Sequence, residues 1–136
     1  MNFIQIKSAQ ETWCAAYASI LDMVKALQEA GDGIATEDAR QAIIDDPLEV
    51  TVRSGWYAPG SDDRDPEEFC ILLSTGGPAS RIVGTLDYHG QPKTARLEVQ
   101  DWGTPWNDVS RFCGIEEWQE IEPTLLAYAR ELYFGE

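Results

Sequence analysis

A cysteine placed where a helix begins has nucleophilic chemistry open to it, and Cys14 stands in such a context, Gln10-Glu11-Thr12-Trp13-Cys14-Ala15-Ala16-Tyr17. A helix N-terminus stabilises a thiolate, and a glutamine just ahead of it can help hold an oxyanion. Nucleophilic catalysis then needs a base and a group that orients it. The single histidine, His89, falls beside Gly90 in a segment that reads as a hairpin tip, and Asp101 follows at a distance suited to an orienting acid. The competing reading keeps Cys14 as a buried structural thiol. Cys14, Cys70, Cys113 and His89 have the residue types of a zinc site but no paired spacing, so neither a metal nor another cofactor is expected. Gly76-Gly77 lacks the lysine and following helix of a phosphate loop and reads as a turn.

Carboxylates are the second possible source of function. They gather in three places: Asp45, Asp46 and Glu49 at a helix end; Asp62, Asp63, Asp65, Glu67 and Glu68 in a long loop; and Glu116, Glu117, Glu120 and Glu122 ahead of the last helix. Across 136 residues, 24 Asp and Glu face 10 Lys and Arg, a formal net charge of −14. Such a surface repels phosphate backbones and anionic membranes, which argues against direct nucleic-acid or membrane binding and in favour of basic partners. Solvation alone also accounts for acidic loops and helix faces. Asp45 and Asp46 are less easily explained that way, because negative charge is unfavourable at a helix C-terminus.

The elements that must carry these groups follow from the hydrophobic period. Five Trp, five Tyr and four Phe supply one core, and the length fits one domain. Ser8-Ala9-Gln10-Glu11 reads as a capping box ahead of a helix of about twenty residues, on which Trp13, Ala16, Tyr17, Ile20, Val24 and Leu27 recur every three or four positions. Gly31 and Gly33 stop it, and Thr36 is the expected cap of a shorter helix ending before Pro47. Leu48, Val50 and Val52 alternate with polar residues as in a half-wet strand. After a loop from Trp56 to Glu68 come runs at 69–74, 79–86 and 94–100, and four strands without intervening helices predict an antiparallel meander. Trp102-Gly103-Thr104-Pro105-Trp106 reads as irregular, and Ile115, Trp118 and Ile121 as a short, imperfect helix. Pro123 then opens a final helix. The fold class expected is α+β: a single domain over 1–136, with a sheet of about four strands packed against N- and C-terminal helices. Met1 to Lys7 lacks a long apolar run and cleavage site, so a cytoplasmic location is expected. Trp56, Tyr57, Trp102 and Trp106 are read as plugs at the sheet ends, with exposure as interface anchors the alternative.

Two resemblances bear on function. The segment around Cys14 resembles the start of papain-like cysteine peptidases, but Ser80-Arg81 stands where their pattern would place the histidine. The runs Arg53-Ser54-Gly55-Trp56-Tyr57, Leu72-Leu73-Ser74-Thr75-Gly76-Gly77-Pro78-Ala79, Gln100-Asp101-Trp102-Gly103-Thr104-Pro105-Trp106 and Tyr133-Phe134-Gly135-Glu136 resemble a family of small, acidic, uncharacterised proteins of proteobacterial phages and mobile elements. That resemblance implies a bacterial host cell as the setting, and an anti-CRISPR protein as a possible role. The expectation is a non-enzymatic inhibitor that binds a basic DNA- or RNA-binding protein, specifically a CRISPR effector complex, by acidic DNA mimicry and so blocks target DNA recognition. Asp62, Asp63, Asp65, Glu67 and Glu68 are the first contact candidates, Glu116, Glu117 and Glu120 the second, with Asp45 and Asp46 beside them. The alternative is a papain-like hydrolase using Cys14.

Overall fold

The computed structural model describes residues 3–31, 33–62, 64–76, 78–101, 105–111 and 115–135, with side chains described from Gln10 onward, apart from those of Arg111 and Ile115. The element order is α1 (Phe3–Glu29), α2 (Ile34–Asp45), β1 (Glu49–Ser54), β2 (Pro66–Ser74), β3 (Ala79–Thr85), β4 (Arg96–Gln100), β5 (Asn107–Asp108) and α3 (Ile115–Ala129). The strands form one sheet in the order β1-β2-β3-β4-β5, and every neighbouring pair is antiparallel. This is the α+β domain with a meander that the alternating periods predict. The fifth strand lies just beyond the Trp102–Trp106 stretch read as irregular, where Asn107 and Asp108 pair with Val99 and Glu98.

The register divides the sheet into two unlike faces. Phe69 and Ile71 of β2, Ile82 of β3, and Leu97 and Val99 of β4 point to one side and are buried. They pack with Ile20 and Val24 of α1 and with Ile121, Leu125 and Tyr128 of α3, while Ile43 of α2 completes the same cluster. Each such side chain contributes about 1.5–3 kcal/mol by leaving water. Phe134, just past α3, closes the end of the core with its ring 4.9 Å from that of Phe69.

Several local expectations change. α1 starts at Phe3, so Ser8 lies inside the helix rather than at its cap; the Ser8 side chain is outside the description. Thr36 does not cap α2: Gly33, with φ of 81°, precedes Ile34, and Thr36 Oγ1 donates instead to Gly31 O at 2.6 Å. The two helical pieces expected on either side of Pro123 are one helix, α3. Pro123 is exposed, and so is Gln119, whose carbonyl lacks its usual helical donor; that group can turn to water. Glu67 and Glu68 are not loop residues, because β2 begins at Pro66 and Glu68 faces Arg53 across the ladder. Among the described residues no helix is long and apolar enough to cross a membrane.

Gly84 marks the tightest point of the sheet. It sits opposite Phe69, and a Cβ built there would lie 2.8 Å from the Phe69 ring and closer still to the Thr94 carbonyl. Gly84→Val should therefore force the ring and the β3–β4 hairpin apart and cost roughly 3 kcal/mol. Urea unfolding monitored by circular dichroism measures the loss, and an unchanged midpoint would refute this account of the packing.

Candidate functional site

The acidic groups fall on different parts of the scaffold. Asp62 and Asp65 are exposed in the β1–β2 loop, and Glu67 is exposed at the start of β2; Asp63 lies outside the described residues. The Glu67 carboxylate lies against Gly55, where any Cβ would meet its oxygens, so Gly55 makes room for this acid. Asp65, Glu67 and Glu68 line a hollow with Asp87, His89, Lys93 and Phe134 at the end of the sheet that carries the β3–β4 hairpin. Glu117 and Glu120 instead line a hollow with Trp13, Cys14, Tyr17 and Ile121 between α1 and α3, with Glu116 exposed on the same helix. Asp46 lines a third with Thr12, Ser74 and Pro78, beside the β2–β3 turn at the other end of the sheet. The three clusters therefore do not converge on one hollow.

Some of these acids are already engaged. Tyr128, fully buried, donates its hydroxyl to Asp46 Oδ2 at 2.6 Å, and burial together with that carboxylate pushes the phenol well above its usual range. Asp46 thus gives a buried hydroxyl its acceptor, a structural reason for acid at the end of α2. Asp45 accepts from Gln41 Nε2 at 2.9 Å. Glu68 takes Arg53 Nη2 at 3.1 Å and Nε through its other oxygen, which holds its carboxyl below the usual range. Asp62, Asp65, Glu67, Glu116, Glu117 and Glu120 have no ion pair among the described residues.

Trp56 and Tyr57 do not plug a sheet end as expected. Trp56 is fully exposed and Tyr57 44% exposed, with Arg64 stacked 5.0 Å above the Tyr57 ring. Trp106 is half-buried and covers the Arg81 guanidinium at 4.1 Å; Trp102 lies outside the described residues. This Arg81–Trp106 stack belongs to a polar constellation that the sequence reading missed. Glu98, 7% exposed, accepts from Arg81 at 2.8 Å on one oxygen and from Arg96 at 3.0 Å on the other. Strand alternation placed these residues on one face, but only the register brings Arg53, Arg81 and Arg96 together around one hollow.

Cys14 is neither at a helix start nor buried, the two placements its sequence context suggests. It sits in the middle of α1, away from the dipole of the first turn, and it is exposed rather than buried. His89 is held elsewhere, in a tight turn where the Asp87 carboxylate accepts the amides of His89 at 2.8 Å and Gln91 at 3.0 Å. Partial burial and the nearby Glu117 push the Cys14 thiol up, the reverse of an activated thiolate. Cys113 lies outside the described residues, which hold no group of three metal-ligating side chains. Comparison with protein-family models, with curated proteins and with solved structures returns no match.

Two outcomes follow from these environments. Iodoacetamide at neutral pH should alkylate Cys14 more slowly than a cysteine in an unstructured peptide, because less of it is thiolate. A faster rate, followed by mass spectrometry, would restore the hydrolase reading. The Asp87 carboxyl is held below its usual range chiefly by the Gln91 amide, so it stabilises the fold above its unfolded pKa of about 4 and loses that effect as pH falls through the folded value. Asp87→Ala should accordingly be less stable than wild type near neutral pH, with the gap closing under acid. Urea midpoints of both proteins across pH measure it, and a gap that persists in acid would exclude the carboxylate as its cause.

Proposed function

We propose that this chain is a non-enzymatic anti-defence inhibitor, anti-CRISPR-like in action. On this reading it binds a basic nucleic-acid-binding surface of a host effector complex and offers carboxylates where that surface receives phosphates. The observation that carries the proposal is the exposed and unpaired state of Asp62, Asp65 and Glu67. Four arginines are committed within the fold: Arg53 to Glu68, Arg81 and Arg96 to Glu98, and Arg40 to Glu37 and Glu131. Arg64 in the loop and Lys93 in the hollow offset part of the charge there, but Asp62, Asp65, Glu67 and Asp87 outnumber them, so a net negative field reaches solvent, the condition for steering toward a basic partner. Glu67 stands on a strand, and a mimic needs its charges on a fixed frame.

Glu116, Glu117 and Glu120 form a secondary acidic surface on α3, away from the loop. Asp45 and Asp46 contribute less to this reading, since both already accept hydrogen bonds within the fold. Trp56 adds a second kind of contact. A fully exposed indole in the same loop as Asp62 and Asp65 can stack on the arginines of a nucleic-acid-binding surface, and cation–π contacts of this kind contribute about 0.5–2 kcal/mol.

Replacing Asp62, Asp65 and Glu67 together by serine should weaken binding to a purified CRISPR effector by about tenfold or more, on the order of 1.4 kcal/mol. The melting temperature should barely move, because surface changes of this kind stay within about 0.5 kcal/mol. Wild-type binding should fall as salt rises and be displaced by duplex DNA. Undiminished affinity in the triple variant would remove the loop from the contact. Salt-insensitive binding abolished by Trp56→Ser would replace mimicry with an aromatic hot spot.

A further inference from the structure

We infer that the helix-free face of the sheet is a binding site for a small, singly charged carboxylate, independent of the acidic loop. Arg53, Arg81 and Arg96 surround a single hollow of ≈ 210 Å³ whose other lining residues include Thr51, Glu68, Cys70, Val83 and Thr85, all from strands. Three of the ten Lys and Arg of a chain with net charge −14 are thus gathered around one small concavity.

Charge within the hollow does not balance. Arg53 is matched by Glu68. Arg81 and Arg96, however, share the one carboxylate of Glu98, whose two oxygens are both taken. Two guanidinium groups on one carboxylate leave a single positive charge over. Glu49 and Asp108 stand in the same cross-strand row as Arg81 and Glu98, but neither lines the hollow, so the surplus is local to it. The surplus charge is also held in place. Burial fixes Glu98, the Trp106 ring fixes Arg81, and Arg96 is anchored by Nε, with Glu68 a nearby charge but no hydrogen-bond partner for its two terminal nitrogens among the described residues.

The chemistry of the occupant follows from these features. A planar guanidinium edge with two free N–H-bearing nitrogens suits a carboxylate in bidentate contact. One negative charge neutralises the surplus, whereas a dianion would bring a second charge into the field of an acidic protein. Val83 and Cys70 offer an apolar wall for the ligand body. The volume lies below the ~300–1,000 Å³ of drug-sized pockets, which sets the ligand at about one ring or a short branched chain.

The test titrates the ¹⁵N-labelled full chain with sodium benzoate, and in parallel with inorganic phosphate and sodium chloride at equal ionic strength. Benzoate should give saturable shifts at the Nε–Hε signals of Arg81 and Arg96 and at the amides of Cys70 and Val83, with phosphate moving them less. Arg96→Gln, which keeps the Arg81–Glu98 pair, should weaken benzoate binding by about tenfold. Should that variant lose its folded spectrum, Arg53→Gln, a change at an exposed pair, tests the same hollow and should weaken binding by a smaller factor. Shifts common to all three salts, shifts that never saturate, or affinity undiminished in the folded variant would each overturn the proposal. Tighter binding of phosphate would overturn its ligand class. None of these readings involves Asp62, Asp65 or Glu67, so they stand apart from the test of the inhibitor.

Discussion

A sheet has two faces, and among the described residues helices cover only one of them. α1 and α3 cover the side that presents Ile71, Ile82, Leu97 and Val99, and the apolar area removed from water there drives the fold. The opposite side must be made compatible with water without a second layer. It is finished with ion pairs: Arg53 with Glu68 from β1 to β2, Arg81 with Glu98 from β3 to β4, and Arg96 with Glu98 along β4. Cross-strand pairs of this kind hold register, since a slip of one residue would send charges into the core and apolar residues into water.

The same division organises charge. Arginines drawn to the helix-free face are unavailable to the loops and helices, so the excess of carboxylates is expressed at the sheet ends and along α3. Local chemistry then separates free acids from structural ones. Asp46 is committed to the hydroxyl of a buried tyrosine, and Asp87 to the amides of its own turn. Glu98 is the hub of the ion-paired face. Among the described residues, those without an ion pair include the loop group of Asp62, Asp65 and Glu67 and the helical group of Glu116, Glu117 and Glu120. A single formal charge for the whole molecule conceals this difference, because burial and hydrogen bonding set what each carboxylate is free to do.

Cys14 shows how a local pattern misleads when the element around it is longer than its signals suggest. Ser8 and Glu11 have the spacing of a capping box, and a helix start there would have put the thiol in the first turns. Instead α1 runs from Phe3, and the dipole argument fails with the change of boundary. Glu67 and Glu68 are the corresponding case among the acids. Polar residues around a proline read as loop, yet pairing with β1 draws them into the ladder, since Arg53 stands opposite Glu68.

The sequence by itself determined the α+β class, the meander and most of the core, because hydrophobic periods of 3.6 and 2 are local properties of the chain. Trp13, Ile20, Val24, Ile71 and Leu125 were legible in this way, as was the hairpin turn at His89. Only the tertiary structure decided which acids are free, where the aromatic rings stand, and that Arg53, Arg81 and Arg96 meet. Those outcomes depend on strand register and on which sheet face the helices cover, and neither is written in any single segment. Glu98 carries no sequence mark that separates it from twenty-three other acids, and its two arginine partners lie two and seventeen residues away. Its role exists only because β3 and β4 pair in the register that sets Arg81 opposite Glu98.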